Sequence, residues 1–356
     1  MLTFALLSLV IFMFWRSINS MSEGLERDSK ENKYVNILFW IIVLLAAFRS
    51  ELTGADTPGY MREYGEMARL EWGQIAERFE GYSMYYYMSK VFSVCHMPLF
   101  VWFGFVQFVY LYAMKRLIDK YSKDKLMSMM TFVSMGLFTF SLAGLKQVIA
   151  MALLMYAYLY LTERKYYFSL ILIVLAYLCH STALIFLPAF GLYFLPSRKY
   201  YWALILTAVL VLAFYGGELL MGASLQYAES TGNEHFSSYL DFENNHSPVM
   251  LIYYVCMILF CIPGFKKFHA DAIELFNLSL GFCMIGAALQ VLAFFSPHAF
   301  RFAYYYLPFY MVLVPTSYHS MNAGTKKTMS FVIMFSLIFY FLYVNRDYIY
   351  SMAFIM

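Results

Sequence analysis

A run of 37 residues, 126–162, carries a single formal charge, at Lys146. As one α-helix it would be about 55 Å long at ~1.5 Å per residue, whereas the hydrocarbon core of a bilayer is ~30 Å thick. The run must fold as two spans with a break, and Gly144-Leu145-Lys146 is where a turn-forming residue and the charge coincide. The same arithmetic divides residues 166–196, whose one ionisable imidazole or formal charge is His180. That turn falls near Cys179-His180-Ser181-Thr182.

These two runs set the class. The whole chain is 62% hydrophobic and 13% charged, against about 25% charged in soluble domains. An all-α, polytopic membrane protein is expected. Further apolar runs at 1–15, 34–48, 98–114, 200–215, 248–265, 275–295, 302–318 and 329–344 bring the expected count to about twelve transmembrane helices. The first run has no Lys or Arg before it and no small-residue cleavage site after it, so it reads as a span rather than a removable signal. Neither repeats nor low-complexity linkers interrupt residues 1–356. A single membrane-embedded domain is expected, with long outer loops at about 49–97 and 216–247. The five cysteines lie mostly in apolar runs, without metal-ligand or C-x-x-C spacing, and read as packing residues.

Charge placement orients the chain. Alternate loops give one side 17 of the 25 basic residues, largely as doublets such as Lys115-Arg116, Arg164-Lys165, Arg198-Lys199, Lys266-Lys267 and Lys326-Lys327. The positive-inside rule makes that side cytoplasmic. The other side then receives Arg49, Asp56, Lys146, His180, Glu234, His235, His298 and Arg301, several of them at span ends. Ionisable groups near hydrocarbon are costly and usually serve a ligand or partner.

Each of these has a functional and a structural reading. Arg49 ends an apolar run and is followed by Gly54-x-Asp56-x-Pro58-Gly59-Tyr60. Its guanidinium suits a phosphate, with Asp56 orienting it or acting as a base; the alternative is a snorkelling arginine beside a turn aspartate. Lys146 with Gln147 opens a helix, where a cation and free backbone N–H groups would attract an anion, or simply marks the turn. His180 is a candidate proton acceptor or a helix cap. His298 and Arg301 are three apart before Tyr304-Tyr305-Tyr306, a phosphate-and-sugar face or an interfacial aromatic belt. His235 sits in an acidic outer loop. Residues 62–87 read as an amphipathic surface helix followed by a Tyr/Met-rich run, with Tyr82, Met84, Tyr85, Tyr86 and Tyr87 at the membrane interface. P-loop, G-x-S-x-G, H-E-x-x-H and Rossmann fingerprints are absent from the sequence, so soluble nucleotide chemistry and nucleic-acid partners are not expected.

The landmarks Arg49, Gly54-x-Asp56 and Tyr60 resemble the EpsG/Wzy-type family of bacterial polysaccharide polymerases. So do Lys146-Gln147-x-x-Ala150, Glu163-Arg164-Lys165-Tyr166-Tyr167, His180-Ser181-Thr182-Ala183-Leu184 and Arg301-Phe302-Ala303-Tyr304-Tyr305. The resemblance spans roughly residues 34–315. It departs at Lys146, often arginine in such proteins: lysine keeps the charge but loses the bidentate fork.

The resemblance implies a GT-C-like membrane glycosyltransferase that joins undecaprenyl-pyrophosphate-linked oligosaccharide repeats at the outer face of the bacterial inner membrane. It implies Arg49, Lys146 and Arg301 at the pyrophosphate and Asp56 or His180 as candidate base. Tyr60, Gln147, His235, His298 and Tyr304 are further candidates for substrate contact. Neither a metal nor another cofactor is expected. Candidate partners are the lipid-linked glycan, membrane lipid, a Wzz-like chain-length regulator and a flippase. Two rivals use the same cations differently. A flippase or transporter predicts charges along a path and pseudo-symmetric halves; a membrane acyltransferase predicts a histidine deep in the membrane.

Overall fold

The computed structural model describes residues 2–79, 83–194, 215, 248–262, 270–295 and 299–352. Every named element among them is helical. Among the described residues, four helices are long and apolar enough to cross a membrane: Leu2–Asn19, Leu145–Thr162, Leu275–Phe294 and Gly324–Val344. A bent pair, Lys125–Ser134 with Leu137–Ala143, makes a fifth if it forms one span. Residues 200–214 of an expected span and the whole 216–247 loop lie outside the described residues.

The chain divides into two compact units, Met1–Phe186 with Gly324–Met356, and Leu187–Ala323. The first contains α1 (Leu2–Asn19), α2 (Leu25–Ala47), α3 (Thr57–Met67), α4 (Trp72–Arg78), α5 (Ser83–Val94) and α6 (Leu99–Tyr121). It continues with α7 (Lys125–Ser134), α8 (Leu137–Ala143), α9 (Leu145–Thr162) and α10 (Tyr166–Cys179). The break expected near Gly144 is present, between α8 and α9. The structure adds a second, a 51° bend between α7 and α8, where Gly136 takes a left-handed backbone with φ of 75° that glycine adopts without a Cβ penalty. The turn expected near His180 is present too, with His180 ending α10.

The polar region after Arg49 is built differently from the expected surface helix. It folds as three short helices, α3 to α5. The start of α3 follows from Asp56 at its N-cap position and Pro58 in its first turn, where a missing N–H costs nothing. Its buried residues Thr57, Tyr60, Tyr64 and Met67 recur at helical spacing. Lys90 of α5 fastens its other end, donating to the carbonyls of Met67 at 2.7 Å and Leu70 at 2.5 Å.

The loops gather at two ends of this unit. At one end Lys120 pairs with Glu163 at 3.1 Å, Lys125 with Asp119 at 3.0 Å, and the Trp15 indole donates to Asp124 at 3.2 Å. At the other, α2 ends in Arg49 and α9 begins beside Lys146. Among the described residues of this unit, Lys120, Lys125 and Lys165 thus sit at one end and Arg49 and Lys146 at the other.

The second unit contains α11 (Leu187–Phe194), α12 (Val249–Cys261), α13 (Ala270–Leu289), α14 (Phe300–Ala303) and α15 (Tyr310–His319). Buried hydroxyls tie it together: Tyr310 donates to the Tyr254 carbonyl at 3.1 Å and Ser317 to that of Cys261 at 3.1 Å. The last long helix, α16 (Ala323–Val344), leads back to the first unit.

Candidate functional site

Arg49 follows the last turn of α2 and, at 3% exposure, is almost wholly buried. Its guanidinium lies over the Phe103 ring, 3.9 Å from the centroid, a cation–π contact with α6. Nη1 donates to the Ala46 carbonyl at 2.9 Å, satisfying an open C=O at the end of α2, and Nε donates to Thr57 Oγ1 at 3.4 Å. Nη2 is buried and makes no hydrogen bond. Burial draws the Arg49 pKa down to about 10, offset in part by the phenols of Tyr348, Tyr85, Tyr60 and Tyr350; the side chain is still a cation at neutral pH. An unsatisfied donor on a buried cation costs about 1–3 kcal/mol or more, which an anionic ligand would recover.

The turn after Arg49 is docked onto the α8/α9 break. Gly54 has φ of 86° and packs so closely that a Cβ there would lie 2.6 Å from the Leu142 carbonyl oxygen. The Thr57 hydroxyl lies 2.5 Å from the Thr53 carbonyl and 3.3 Å from that of Leu142. Segment 348–352 closes the other flank. Arg49 bridges to Met352, Ser50 N donates to the Ser351 carbonyl at 2.9 Å, Ser351 N donates to Thr53 Oγ1 at 2.9 Å, and Tyr350 donates to the Leu45 carbonyl at 2.7 Å.

Because the turn and the break are docked, Arg49 and Lys146 share neighbours. The Lys146 ammonium bonds to the Tyr86 hydroxyl and pairs with Glu63 at 3.7 Å. It lies 4.6 Å from the Tyr86 ring centre, 5.5 Å from that of Tyr60 and 5.9 Å from that of Tyr85. Tyr60 and Tyr85 are themselves in ring contact at 5.9 Å and also act electrostatically on Arg49. Two cations therefore flank one tyrosine pair, with a carboxylate on the lysine side. Such a cluster can hold an anionic leaving group and hydroxyl-bearing sugar together.

The sequence-derived candidates distribute as follows. Arg49, Tyr60 and Lys146 come together in the first unit. Gln147 is buried in the first turn of α9. The α9–α10 hairpin also brings His180 to the Lys146 end: Ser169 of α10 donates to the Ala157 carbonyl of α9 at 2.9 Å, and that register sets His180 level with Lys146. The His180 ring is bonded through Nδ1 to Thr182 at 2.6 Å. Asp56 is half-buried at the start of α3. Arg301 and Tyr304 belong to the second unit, Arg301 within α14 and Tyr304 at its end, in ring contact with Phe300 at 5.9 Å. His235 and His298 lie outside the described residues. Among the described residues, no three His, Cys, Asp or Glu side chains are grouped as metal ligands would be.

Sequence reasoning missed Glu63 and misplaced Tyr85 and Tyr86. These tyrosines are buried against Lys146, not spread on the membrane interface. The signal available was the helical spacing of Thr57, Tyr60, Tyr64 and Met67, which places Glu63 one turn beyond Tyr60 and beside the inward face.

No curated protein and no solved structure matches the chain. The EpsG family model matches residues 32–355, nearly the whole length, including every landmark that forms this cluster. The chain is a member of the EpsG family, a Wzy-type polymerase-like family.

Proposed function

We propose that this protein is a polysaccharide polymerase, an inverting glycosyltransferase that joins undecaprenyl-pyrophosphate-linked oligosaccharide repeats at the outer face of the bacterial inner membrane. The observation that carries the reading is Arg49: a buried cation with an open donor, sharing a tyrosine pair with Lys146 at the bundle end away from the lysine-rich loops. Family membership supports a polymerase-like role in general. In this proposal the chain crosses the membrane about twelve times in a GT-C-like arrangement. Arg49 and Lys146 meet the pyrophosphate, and Arg301 is a further candidate for that role. Their fixed charge stabilises the leaving group as it gains negative charge, without reorganisation at the moment of reaction. Tyr60 and Gln147 line the same end, and Asp56 and His180 are candidate bases for the acceptor hydroxyl. A Wzz-like regulator and a flippase are the expected partners.

The test is a glycan gel from cells lacking the protein, complemented with wild type, Arg49→Ala or Arg301→Ala at equal membrane abundance. Wild type is expected to restore a ladder and Arg49→Ala to leave a single repeat. Normal ladders from both variants would refute the cation assignment. Unpolymerised repeats held on the cytoplasmic face of the deletion strain would instead identify a flippase.

A further inference from the structure

We infer that Glu63, in place of Asp56 or His180, is the general base of the transfer, a proposal that rests on the polymerase reading above. Its carboxylate is divided in function. Oε1 is 3.7 Å from the Lys146 ammonium, and the Tyr86 phenol is hydrogen-bonded to the carboxylate as well. Oε2 is buried and accepts no hydrogen bond. A carboxylate has room for about four hydrogen bonds, so a buried oxygen with none is an open acceptor awaiting a donor.

The matching open donor is in the same cluster. Arg49 Nη2 is equally buried and equally unbonded, and Tyr85 feels both Glu63 and Arg49. One buried acceptor and one buried donor, both on groups that act on the same tyrosine, suit a ligand that presents a hydroxyl at one point and an anionic oxygen at another. A sugar acceptor beside a sugar pyrophosphate is such a ligand. The other described carboxylate nearby on α3, Glu66, is an exposed partner of Arg78 at 2.7 Å, and His180 already spends Nδ1 on Thr182.

The step balances without any further reactant. Glu63 Oε2 takes the proton of the acceptor hydroxyl as that oxygen bonds to the anomeric carbon. The bond from that carbon to the pyrophosphate oxygen breaks on the opposite face, and its electron pair leaves with the lipid pyrophosphate, facing Arg49. Configuration at the anomeric carbon inverts. Lys146 holds the carboxylate in place through Oε1, leaving Oε2 for the substrate.

The experiment uses the full chain, purified in detergent, with lipid-linked repeats extracted from the deletion strain, and follows the rate of ladder formation against pH. Glu63→Gln keeps the shape and removes the base. Its kcat is expected to fall roughly 10²–10⁴-fold with little change in KM, and the acid limb of the rate–pH profile to vanish. Glu63→Asp, which retracts the carboxylate by one methylene, is expected to lose rate yet keep an acid limb. The proposal is overturned if Glu63→Gln retains a tenth or more of the wild-type rate with its acid limb unchanged. If Glu63→Gln does not accumulate, Glu63→Asp decides: wild-type rate and profile in that variant overturn the proposal. Wild type that builds no ladder refutes the polymerase reading itself; a ladder lost in Arg49→Ala but kept in Glu63→Gln refutes only the assignment of Glu63.

Discussion

Gly54 and Gly59 lie five residues apart in the same turn-and-helix segment, and the structure predicts opposite outcomes for the same substitution. At Gly54 an added Cβ would meet the Leu142 carbonyl oxygen at 2.6 Å, its carbon at 3.0 Å and Thr57 Oγ1 at 3.1 Å. Two of these atoms are backbone at a helix break and cannot swing aside. The left-handed φ of 86° adds about 1–2 kcal/mol for an L-residue, and forced overpacking typically ~1–3 kcal/mol. Gly54→Ala should therefore cost about 2–5 kcal/mol, a large part of the ~5–15 kcal/mol by which a typical protein is stable. It should also lift Thr57 away from Arg49 Nε. At Gly59, inside α3, a Cβ meets nothing within 4 Å. Alanine there should stabilise by about 0.5–1 kcal/mol through helix propensity. The assay is thermal unfolding of the full chain in detergent, read by labelling of the buried cysteines Cys179, Cys261 and Cys283, with the glycan ladder as the activity readout. Gly54→Ala should melt several degrees lower and shorten the ladder, and Gly59→Ala should do neither. Equal melting of Gly54→Ala and wild type would refute the docking of this turn on Leu142.

Two further predictions concern charges away from the cluster. Lys90→Met keeps the aliphatic stem but removes the bonds to the α3 terminus; hydrogen bonds to a charged group are worth about 1.5–3 kcal/mol each, so the variant should melt well below wild type, with Lys90→Arg closer to it. Glu163 is held down to about 2 by hydrogen bonds from Lys165 and Lys120. A depressed acid stabilises above its unfolded pKa and loses that contribution as pH falls through the folded one. The difference in melting between wild type and Glu163→Gln should therefore be constant above about pH 5 and close between 4.5 and about 2; a gap unchanged at pH 2 would refute the pairing.

Much of the architecture is legible in the sequence. Length against bilayer thickness demanded breaks in 126–162 and 166–196, and they stand at Gly144 and His180. The stretch Gly54-x-Asp56-x-Pro58-Gly59 read as a turn, and α3 starts inside it, at Thr57. Loop-charge counting put Lys120, Lys125 and Lys165 on one side and Arg49 and Lys146 on the other, and in the first unit these residues stand at opposite ends. These readings rest on local quantities, namely hydropathy, helix rise and turn preference, which a one-dimensional string carries in full. The bend at Gly136 went unread because a glycine inside an apolar run costs too little to signal itself.

The interior of the cluster was a different matter. Tyr85 and Tyr86 read as an interfacial belt because a tyrosine beside a membrane looks the same whether its ring meets headgroups or a lysine. Hydrophobic periodicity, which tells core from solvent in a soluble helix, loses that power where the outside is apolar too. Glu63, Lys146 and Arg49 converge from three separate elements, and the segment that braces Arg49 comes from 301 residues away, where Ser351 meets Ser50. The sequence alone determined that this is an all-helical membrane chain of its family with isolated cations at one end. Only tertiary packing, which decides how distant segments meet, determined that Arg49 is buried with a donor to spare and that Glu63 faces Lys146.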